Sequence, residues 1–306
     1  MLLVVAESTG SSPGRQGYKM TVGSDGELFG SIGGGVMEVN LVEESRAILS
    51  EPPAVAGDLT RQIRTQVHKK NTPNSSGMIC SGKQTVIFRK LTSTDARTVE
   101  SIVESIRKRS DAFMTLSSRN LSVGPPEGET PNEDFHFEKI DETDFRYIEK
   151  LGPKSKLYLI GGGHCALALS ELMSKMNFHI SIFDDRPDLN TIGKNRFADE
   201  ITIIDNYEQI GELILEGSNV YVVVMTLGYN SDEIVIRALL DIDIKYFGVL
   251  GSKAKMKILL TALAKDGFSK ERISRIRTPV GLAINSRTPE EIAVSIAAQI
   301  IAVKNA

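Results

Sequence analysis

A glycine-rich turn between an apolar run and an amphipathic stretch constrains the fold more than any other segment. Leu157–Ile160 is continuously apolar, as expected for a strand buried on both faces of a sheet. The next residues, Gly161–Ala166, fit the pattern G-x-G-x-x-A, and apolar residues at helical spacing follow them. A strand, a glycine turn and a helix in this order predict the first unit of a Rossmann-like domain.

The rhythm of strand and helix continues to the C-terminus. Four further segments are predicted to be strands, and the last two of them are buried-strand runs. They are Ile180–Phe183, Ile201–Ile204, Val220–Met225 and Tyr246–Leu250. Such alternation predicts a parallel sheet with helices on both faces. The last helix has an explicit start, with Thr288 as N-cap and Glu291 closing a capping box. We therefore assign residues 154–306 to a Rossmann-like α/β domain.

The first half of the chain instead mixes short β signals with glycines. We predict strands at Leu2–Ala6, Lys19–Val22, Glu27–Ile32 and Gln84–Phe88. A helix from Gly33 to about Leu49 would use Val39, Val42 and Leu49 as its buried face. The less regular stretch 91–153 is predicted to hold helix Thr94–Arg109, strands Ala112–Leu116 and Phe135–Ile140, and an exposed loop, Gly124–Glu133. Residues 1–153 are thus assigned to an N-terminal mixed α/β domain.

Composition excludes several classes of partner. The formal net charge is −3 and tryptophan is absent, which gives no electrostatic or stacking reason to expect nucleic acid. No stretch approaches the roughly 20 apolar residues of a membrane helix, so we expect no membrane partner. The two cysteines, Cys80 and Cys165, lie in unrelated local patterns and do not indicate a disulfide framework. We expect a cytoplasmic protein.

The turn after the first buried strand is the leading candidate for a ligand site. Gly161 permits a tight turn and Gly163 lets a pyrophosphate approach the backbone, while the following helix offers free N–H groups. Asp184 and Asp185 end the second strand, where an acid accepts hydrogen bonds from ribose hydroxyls. Arg186 beside them leaves NAD and NADP both open. The alternative is a Rossmann-like fold whose pocket is vestigial or holds another ligand.

Two further groups at the same sheet edge are candidates. His164 either contacts the ligand phosphate or is exposed to solvent, and Cys165 is interpreted as a packing residue. A second turn follows another buried strand, where Ser252 can cap a helix and Lys253 adds positive charge. A solvated basic surface is the competing interpretation of this turn.

The N-terminal half carries its own glycine-rich loop. Three consecutive glycines within Gly30–Glu38 can form a backbone nest for an anion. The earlier loop Gly10–Pro13 supplies two hydroxyls near the end of the first strand. The candidate binding residues of these loops are Ser11, Ser12, Gly33, Gly34, Gly35 and Glu38. For Glu38, a purely structural role in the first helical turn remains open.

These motifs together resemble a known family. The matching stretches are Glu7–Pro13, Gly30–Glu38, Met78–Gly82, Gly161–His164, Gly248–Lys253, Pro279–Leu282 and Thr288–Ala293. In this order they resemble the XdhC/CoxI family, the maturation factors of molybdenum hydroxylases such as xanthine and carbon monoxide dehydrogenases. The resemblance spans essentially the whole chain.

The resemblance implies a function and partners. The protein would bind the molybdenum cofactor, a pterin with a phosphate and a dithiolene, and deliver it to a client hydroxylase without turnover of its own. A cysteine desulfurase and a second copy of the chain are expected partners. Cys80 matches the cysteine of the family's Cys-Gly-Gly segment, and a thiolate is a soft ligand suited to molybdenum. A buried structural thiol is the alternative for Cys80.

Four departures from the family pattern limit what carries over. The chain starts almost in its first strand, where relatives carry a helix, so we expect a truncated N-terminus. Ser81 replaces a glycine, and Val36 stands where many relatives have cysteine. The segment Thr226–Asp232 lacks the histidine often found there, so any role that rests on that residue is lost.

Two other functions remain open beside maturation. One is a nicotinamide-dependent oxidoreductase and the other a nucleotide sensor that uses the same crevice. No Tyr-x-x-x-Lys pair supports hydride chemistry, and the four histidines have no metal-ligand spacing. Binding and turnover of NAD(H) would separate these alternatives.

Overall fold

The computed structural model describes residues 1–50, 62–68, 82–110, 112–125, 134–141 and 144–306. The chain divides into two compact units, Met1–Gly152 and Pro153–Ala306. Each unit has its own sheets and its own hydrophobic cores.

The described part of the first unit contains a five-stranded antiparallel sheet. Its strands are β1 (Leu2–Gly10), β2 (Lys19–Val22), β3 (Leu28–Gly30), β4 (Ile63–His68) and β5 (Gly82–Arg89). They lie in the order β3-β2-β1-β5-β4. The sequence did not predict β4, which is short and whose polar residues alternate with only two aliphatic ones.

Helix α1 (Gly35–Ser50) packs on one face of this sheet. Its buried apolar residues are Met37, Leu41 and Val42, which meet Leu3 and other inward residues of the sheet. The prediction that Val39 faces the core was wrong, because that side chain is 55% exposed. The buried stripe therefore begins two residues earlier than the predicted one.

A second antiparallel sheet covers the other face of the first. After α2 (Ala96–Arg107) come β6 (Phe113–Ser117), β7 (Leu121–Gly124), β8 (Phe135–Lys139) and β9 (Phe145–Lys150), in the order β7-β6-β9-β8. Val4 and Ile87 of the first sheet share one core with Leu116 and Tyr147 of the second. The strands β7 and β9 were not predicted. Most of the predicted loop Gly124–Glu133 lies outside the described residues.

The second unit, described without gaps, is built on a six-stranded parallel sheet. Its strands are β10 (Ser155–Ile160), β11 (Phe178–Asp184), β12 (Glu200–Ile203), β13 (Gly217–Val224), β14 (Ile244–Val249) and β15 (Ile276–Arg277). The order β12-β11-β10-β13-β14-β15 is that of a Rossmann fold, which confirms the predicted fold class. The order reverses beside β10, and ligands of such sheets bind at that point.

Helices cover both faces of this sheet. They are α3 (His164–Ser174), α4 (Asn190–Lys194), α5 (Ile210–Leu213), α6 (Tyr229–Leu239), α7 (Lys253–Lys265), α8 (Lys270–Ser274) and α9 (Pro289–Lys304). The predicted start of α9 is confirmed, since Thr288 and Glu291 form a capping box. Over the residues described, no helix combines the length and the apolar character needed to cross a bilayer.

Candidate functional site

The glycine turn after β10 has one crowded and one open position. Gly161 has φ of +111°, and a Cβ on it would lie 2.4 Å from the carbonyl oxygen of Met225. Only glycine fits there, so the turn can pass close to the end of β13. Gly163 has an extended backbone, and a Cβ on it would have no neighbour within 4 Å. The surface above Gly163 is therefore open to a ligand.

Asp184, at the end of β11, binds the protein itself. Its fully buried carboxylate accepts hydrogen bonds from the backbone nitrogen of Gly162 at 2.6 Å and from the backbone and guanidinium of Arg186 at 2.7–2.9 Å. Burial raises the pKa of Asp184, but the bonds from Arg186 and Gly162 outweigh it and hold the pKa below its ordinary value. The more exposed acid is Asp185, whose carboxylate accepts a hydrogen bond from Tyr207 Oη at 3.2 Å.

Helix α3 begins at this turn with glycine as its N-cap. Gly163 occupies the cap position and supplies no side-chain acceptor to the first-turn N–H groups. His164 is exposed at the start of the helix. Cys165 is half-buried, and burial, followed by the nearby charge of Glu290, raises its thiol pKa. That shift favours the neutral thiol and supports the interpretation of Cys165 as a packing residue.

An ion pair between the buried Asp232 and the partly buried Lys255 joins the segments that follow β13 and β14. Asp232 was not among the residues that the sequence indicated. Asp232 is 1% exposed and accepts hydrogen bonds from the backbone and hydroxyl of Thr226 and, at 2.7 Å, from Lys255 Nζ. Ser252 caps α7 as predicted by accepting a bond from the backbone of Lys255, and Lys253 is exposed. The sequence feature that could have revealed Asp232 is an acid in the first turn of the helix that follows a buried strand.

The N-terminal glycine nest holds an anion that belongs to the chain. Glu38 accepts hydrogen bonds from Ser31 Oγ at 2.7 Å and from the backbone nitrogens of Ile32 at 2.8 Å and Gly34 at 3.1 Å. Burial raises the pKa of Glu38, but these bonds dominate and lower it. A ligand phosphate would have to compete there with Glu38, so an anion site for a ligand at this nest stays a prediction.

Gln84 is a second residue that the sequence did not reveal. It is fully buried; its Oε1 accepts bonds from Ser12 Oγ at 2.8 Å and Gly14 N at 3.2 Å, and its Nε2 donates to Ile32 O at 3.0 Å. This side chain ties together the two N-terminal loops that carry the candidate residues. Ser12 is consequently buried, whereas Ser11 is exposed.

The predicted metal ligand is not among the residues that the structure describes. Cys80 and nearly all of its loop, Asn71–Gly82, lie outside them, as do Lys69 and Lys70. The role of Cys80 as a ligand of molybdenum therefore stays a prediction. Within the described ranges, no group of three or more His, Cys, Asp or Glu side chains is arranged to hold a metal ion.

Comparison with known proteins identifies two matching family profiles. One, described as the XdhC Rossmann domain, matches residues 157–300. The other, described as the XdhC and CoxI family, matches residues 1–56. The first covers the glycine turn, Asp184 and the pair Asp232–Lys255, and the second covers the Glu38 nest.

Individual relatives agree with these profiles. The uncharacterised protein YqeB of Escherichia coli is 25% identical over 306 residues, which cover 98% of this chain but only 43% of YqeB. A Bacillus subtilis protein, named as a probable subunit of xanthine dehydrogenase, is 26% identical over 321 residues, covering 98% of this chain and 92% of that protein. A solved Bacillus halodurans structure described as a xanthine dehydrogenase has a TM-score of 0.67 at 22% identity, covering 99% and 91% of the two chains. That likeness shows the shared fold.

Proposed function

The chain belongs to the XdhC and CoxI family, and on that premise we propose that it is a maturation factor for a molybdenum hydroxylase of the xanthine dehydrogenase type. In this proposal it binds the molybdenum cofactor, protects it and delivers it to the client enzyme. The name of the Bacillus subtilis relative supports a client of that type.

The open turn at Gly163 is the observation that carries the proposal. It lies at the carboxyl end of β10, beside the point where the strand order reverses. A Cβ added to Gly163 would meet no atom within 4 Å. As the N-cap residue, Gly163 has no side chain that could accept hydrogen bonds from the N–H groups of the first turn of α3. N–H groups in that position bind phosphate, and the molybdenum cofactor carries one. The residues present therefore fit the group.

Each part of the cofactor has a proposed partner. The backbone at Gly163 and His164 holds the phosphate, with Lys253 adding positive charge at the same sheet edge. Cys80 is proposed as the thiolate that meets the metal. When bound, the cofactor supplies the molybdenum–dithiolene centre that the client requires. The chain's own residues bind and orient it, while a cysteine desulfurase is the proposed source of sulfur.

Transfer to a cofactor-free client tests this function. The protein is purified without oxygen from cells supplied with molybdate and then mixed with a xanthine dehydrogenase produced in cells that lack the cofactor. We expect xanthine oxidation to appear only when both proteins are present, and the maturation factor alone to be inactive. A client that stays inactive although the added protein carries cofactor would contradict delivery.

A dinucleotide-binding function is the second candidate, and the strand order of the parallel sheet favours it. Asp185 would then serve the ribose, because Asp184 is occupied by Gly162 and Arg186. Equilibrium dialysis with NADH and NADPH tests this candidate. Binding without turnover supports a sensor, turnover with a substrate supports an oxidoreductase, and absence of binding removes both.

A further inference from the structure

A cavity in the first unit lies away from the glycine loops, on the opposite face of the five-stranded sheet. Glu7 of β1 pairs with Thr85 of β5, which in turn pairs with Thr65 of β4. The three side chains thus form a polar row across three adjacent strands. Two residues farther along, the same face is apolar, with Ile63 opposite Ile87 in the core between the two sheets.

The cavity has a volume of about 350 Å³. Its walls combine the polar row with one aromatic and one aliphatic side chain and two lysines. The lining residues are Glu7, Ile63, Thr65, Lys83, Thr85, Phe137 and Lys139. Thr85 is 4% exposed and forms the floor. The volume is at the lower end of the range for small-molecule sites, roughly 300–1,000 Å³.

The protein leaves the acid of this cavity weakly engaged. Among the described residues, the Glu7 carboxylate receives one side-chain hydrogen bond, a long one of 3.5 Å from Thr85, which also contacts Thr65 at 3.4 Å. Within the described part of the chain, no ion pair joins Glu7 to Lys83. Elsewhere in the unit, buried acids such as Asp95 are closely bound, in that case to Arg89 and Thr92.

The combination of groups selects the kind of ligand. A bare anion would face the repulsion of Glu7, and a simple cation would face the repulsion of Lys83. A molecule with an anionic group at one end and N–H donors at the other satisfies both charges. A carboxylate accepts two parallel N–H bonds, and the face of Phe137 offers a surface for a flat ring.

We propose that this cavity binds a small molecule that joins a 2-amino-4-oxopyrimidine ring to an anionic group. That ring presents two adjacent N–H donors and occurs in guanine and in pterins. Glu7 takes the paired donors, Thr65 and Thr85 contact the ring edge, and Lys83 attracts the anion. In its pterin form this is a second site, separate from the phosphate site proposed at Gly163, and it rests on the proposed function because the molybdenum cofactor contains a pterin.

Direct titration of the purified full chain tests the proposal. The probes are the fluorescent acid 6-carboxypterin and GMP, with the 2-oxo analogue of the pterin and AMP as ligands that lack the donor pair. We expect 6-carboxypterin or GMP, or both, to bind saturably. The matching control ligand should bind at least about tenfold more weakly. Preference for 6-carboxypterin identifies a pterin site, and preference for GMP a guanine nucleotide site.

Two substitutions assign the binding to the cavity. Glu7→Gln should weaken binding about tenfold, because the amide keeps one acceptor and loses the charge. Lys83→Gln should weaken the binding of 6-carboxypterin and of GMP, and the remaining binding should depend less on the salt concentration. Glu100→Gln, on exposed α2, is the matched control and should bind like the wild type. Because Glu7 and Lys83 are exposed, both variants should fold, which circular dichroism checks.

The results separate this inference from the proposed function. The inference is overturned if neither ring ligand saturates, if the control ligands bind equally well, or if Glu7→Gln binds like the wild type. Molybdenum content measured on the same preparations gives the independent readout. Wild type that retains molybdenum without binding either ring contradicts the cavity alone. Wild type that binds a ring but never retains molybdenum contradicts the maturation function alone.

Discussion

Asp184 and Gly162 are joined by a 2.6 Å hydrogen bond from the backbone nitrogen of the glycine to the buried carboxylate. The acid at the end of β11 thus holds the turn after β10 in place. Thr191 reinforces the same turn by donating to the Gly162 carbonyl at 2.5 Å. The buried side chains of Asp184 and Thr191 therefore hold the turn that leaves Gly163 open.

Asp184→Asn tests this support. The amide cannot pair with Arg186 and brings an N–H₂ group to a site that offers only donors. We expect a loss of about 2–4 kcal/mol in the free energy of unfolding at neutral pH. Urea unfolding of both proteins measures the difference. An unchanged midpoint would show that the carboxylate does not stabilise the turn.

The pH dependence of this difference has a definite sign. Since the pKa of Asp184 is lower in the folded protein than its ordinary value of 3.8, its contribution is complete above pH 3.8. The contribution is lost as the pH falls below 3.8 towards the pKa of the folded state. The gap in stability between wild type and Asp184→Asn should therefore be constant from pH 7 to pH 5 and shrink below pH 3.8. A gap that widens on acidification would contradict the charge pairing.

Glu38→Ala should open the N-terminal nest. Loss of the carboxylate leaves Ile32 N and Gly34 N without their acceptor, at a cost of about 1–3 kcal/mol. Because a free nest attracts anions, added phosphate should raise the melting temperature of the variant more than that of wild type. Glu43→Ala, exposed on the same helix, should show neither effect. If phosphate raised the melting temperatures of wild type, Glu38→Ala and Glu43→Ala equally, Glu38 would not be what occupies the anion-binding groups of the nest.

Gln84→Leu tests the link between the two N-terminal loops. The substitution removes the three buried hydrogen bonds that Gln84 makes with Ser12, Gly14 and Ile32, and we expect a loss of about 2–4 kcal/mol in the free energy of unfolding. Gln66→Leu is the matched control on the neighbouring strand, directly opposite Gln84. Its Oε1 is buried without a partner among the described residues, so that substitution should cost little. Similar losses for both variants would deny Gln84 a special role.

Local patterns predicted the second unit well because its central strands are buried on both faces. Runs such as Val220–Val224 are entirely buried, so periodicity and composition pointed to the same elements. The crowding at Gly161 likewise follows from a local turn. By contrast, β4 and β9 depend on partner strands in their sheets. Apolar and polar residues do not alternate regularly enough within either segment to predict a strand.

The missed site residues share a different cause. Gln84 lies in a predicted strand, yet its partners are Ser12 and Ile32, more than 50 residues away. Asp232 meets Lys255 only because β13 and β14 are neighbours in the sheet. Such contacts become visible only once the chain is folded.

Retention of the cofactor is the most direct test of the central claim. Molybdenum and pterin are measured per chain in protein purified from cells supplied with molybdate. Wild type should contain both, and Gly163→Val, whose added side chain enters the open space above the turn, should contain about tenfold less of each. Gly193→Val, at another unobstructed glycine, should match wild type. Wild type without either component, or Gly163→Val with the full amount of both, would contradict cofactor binding at this turn.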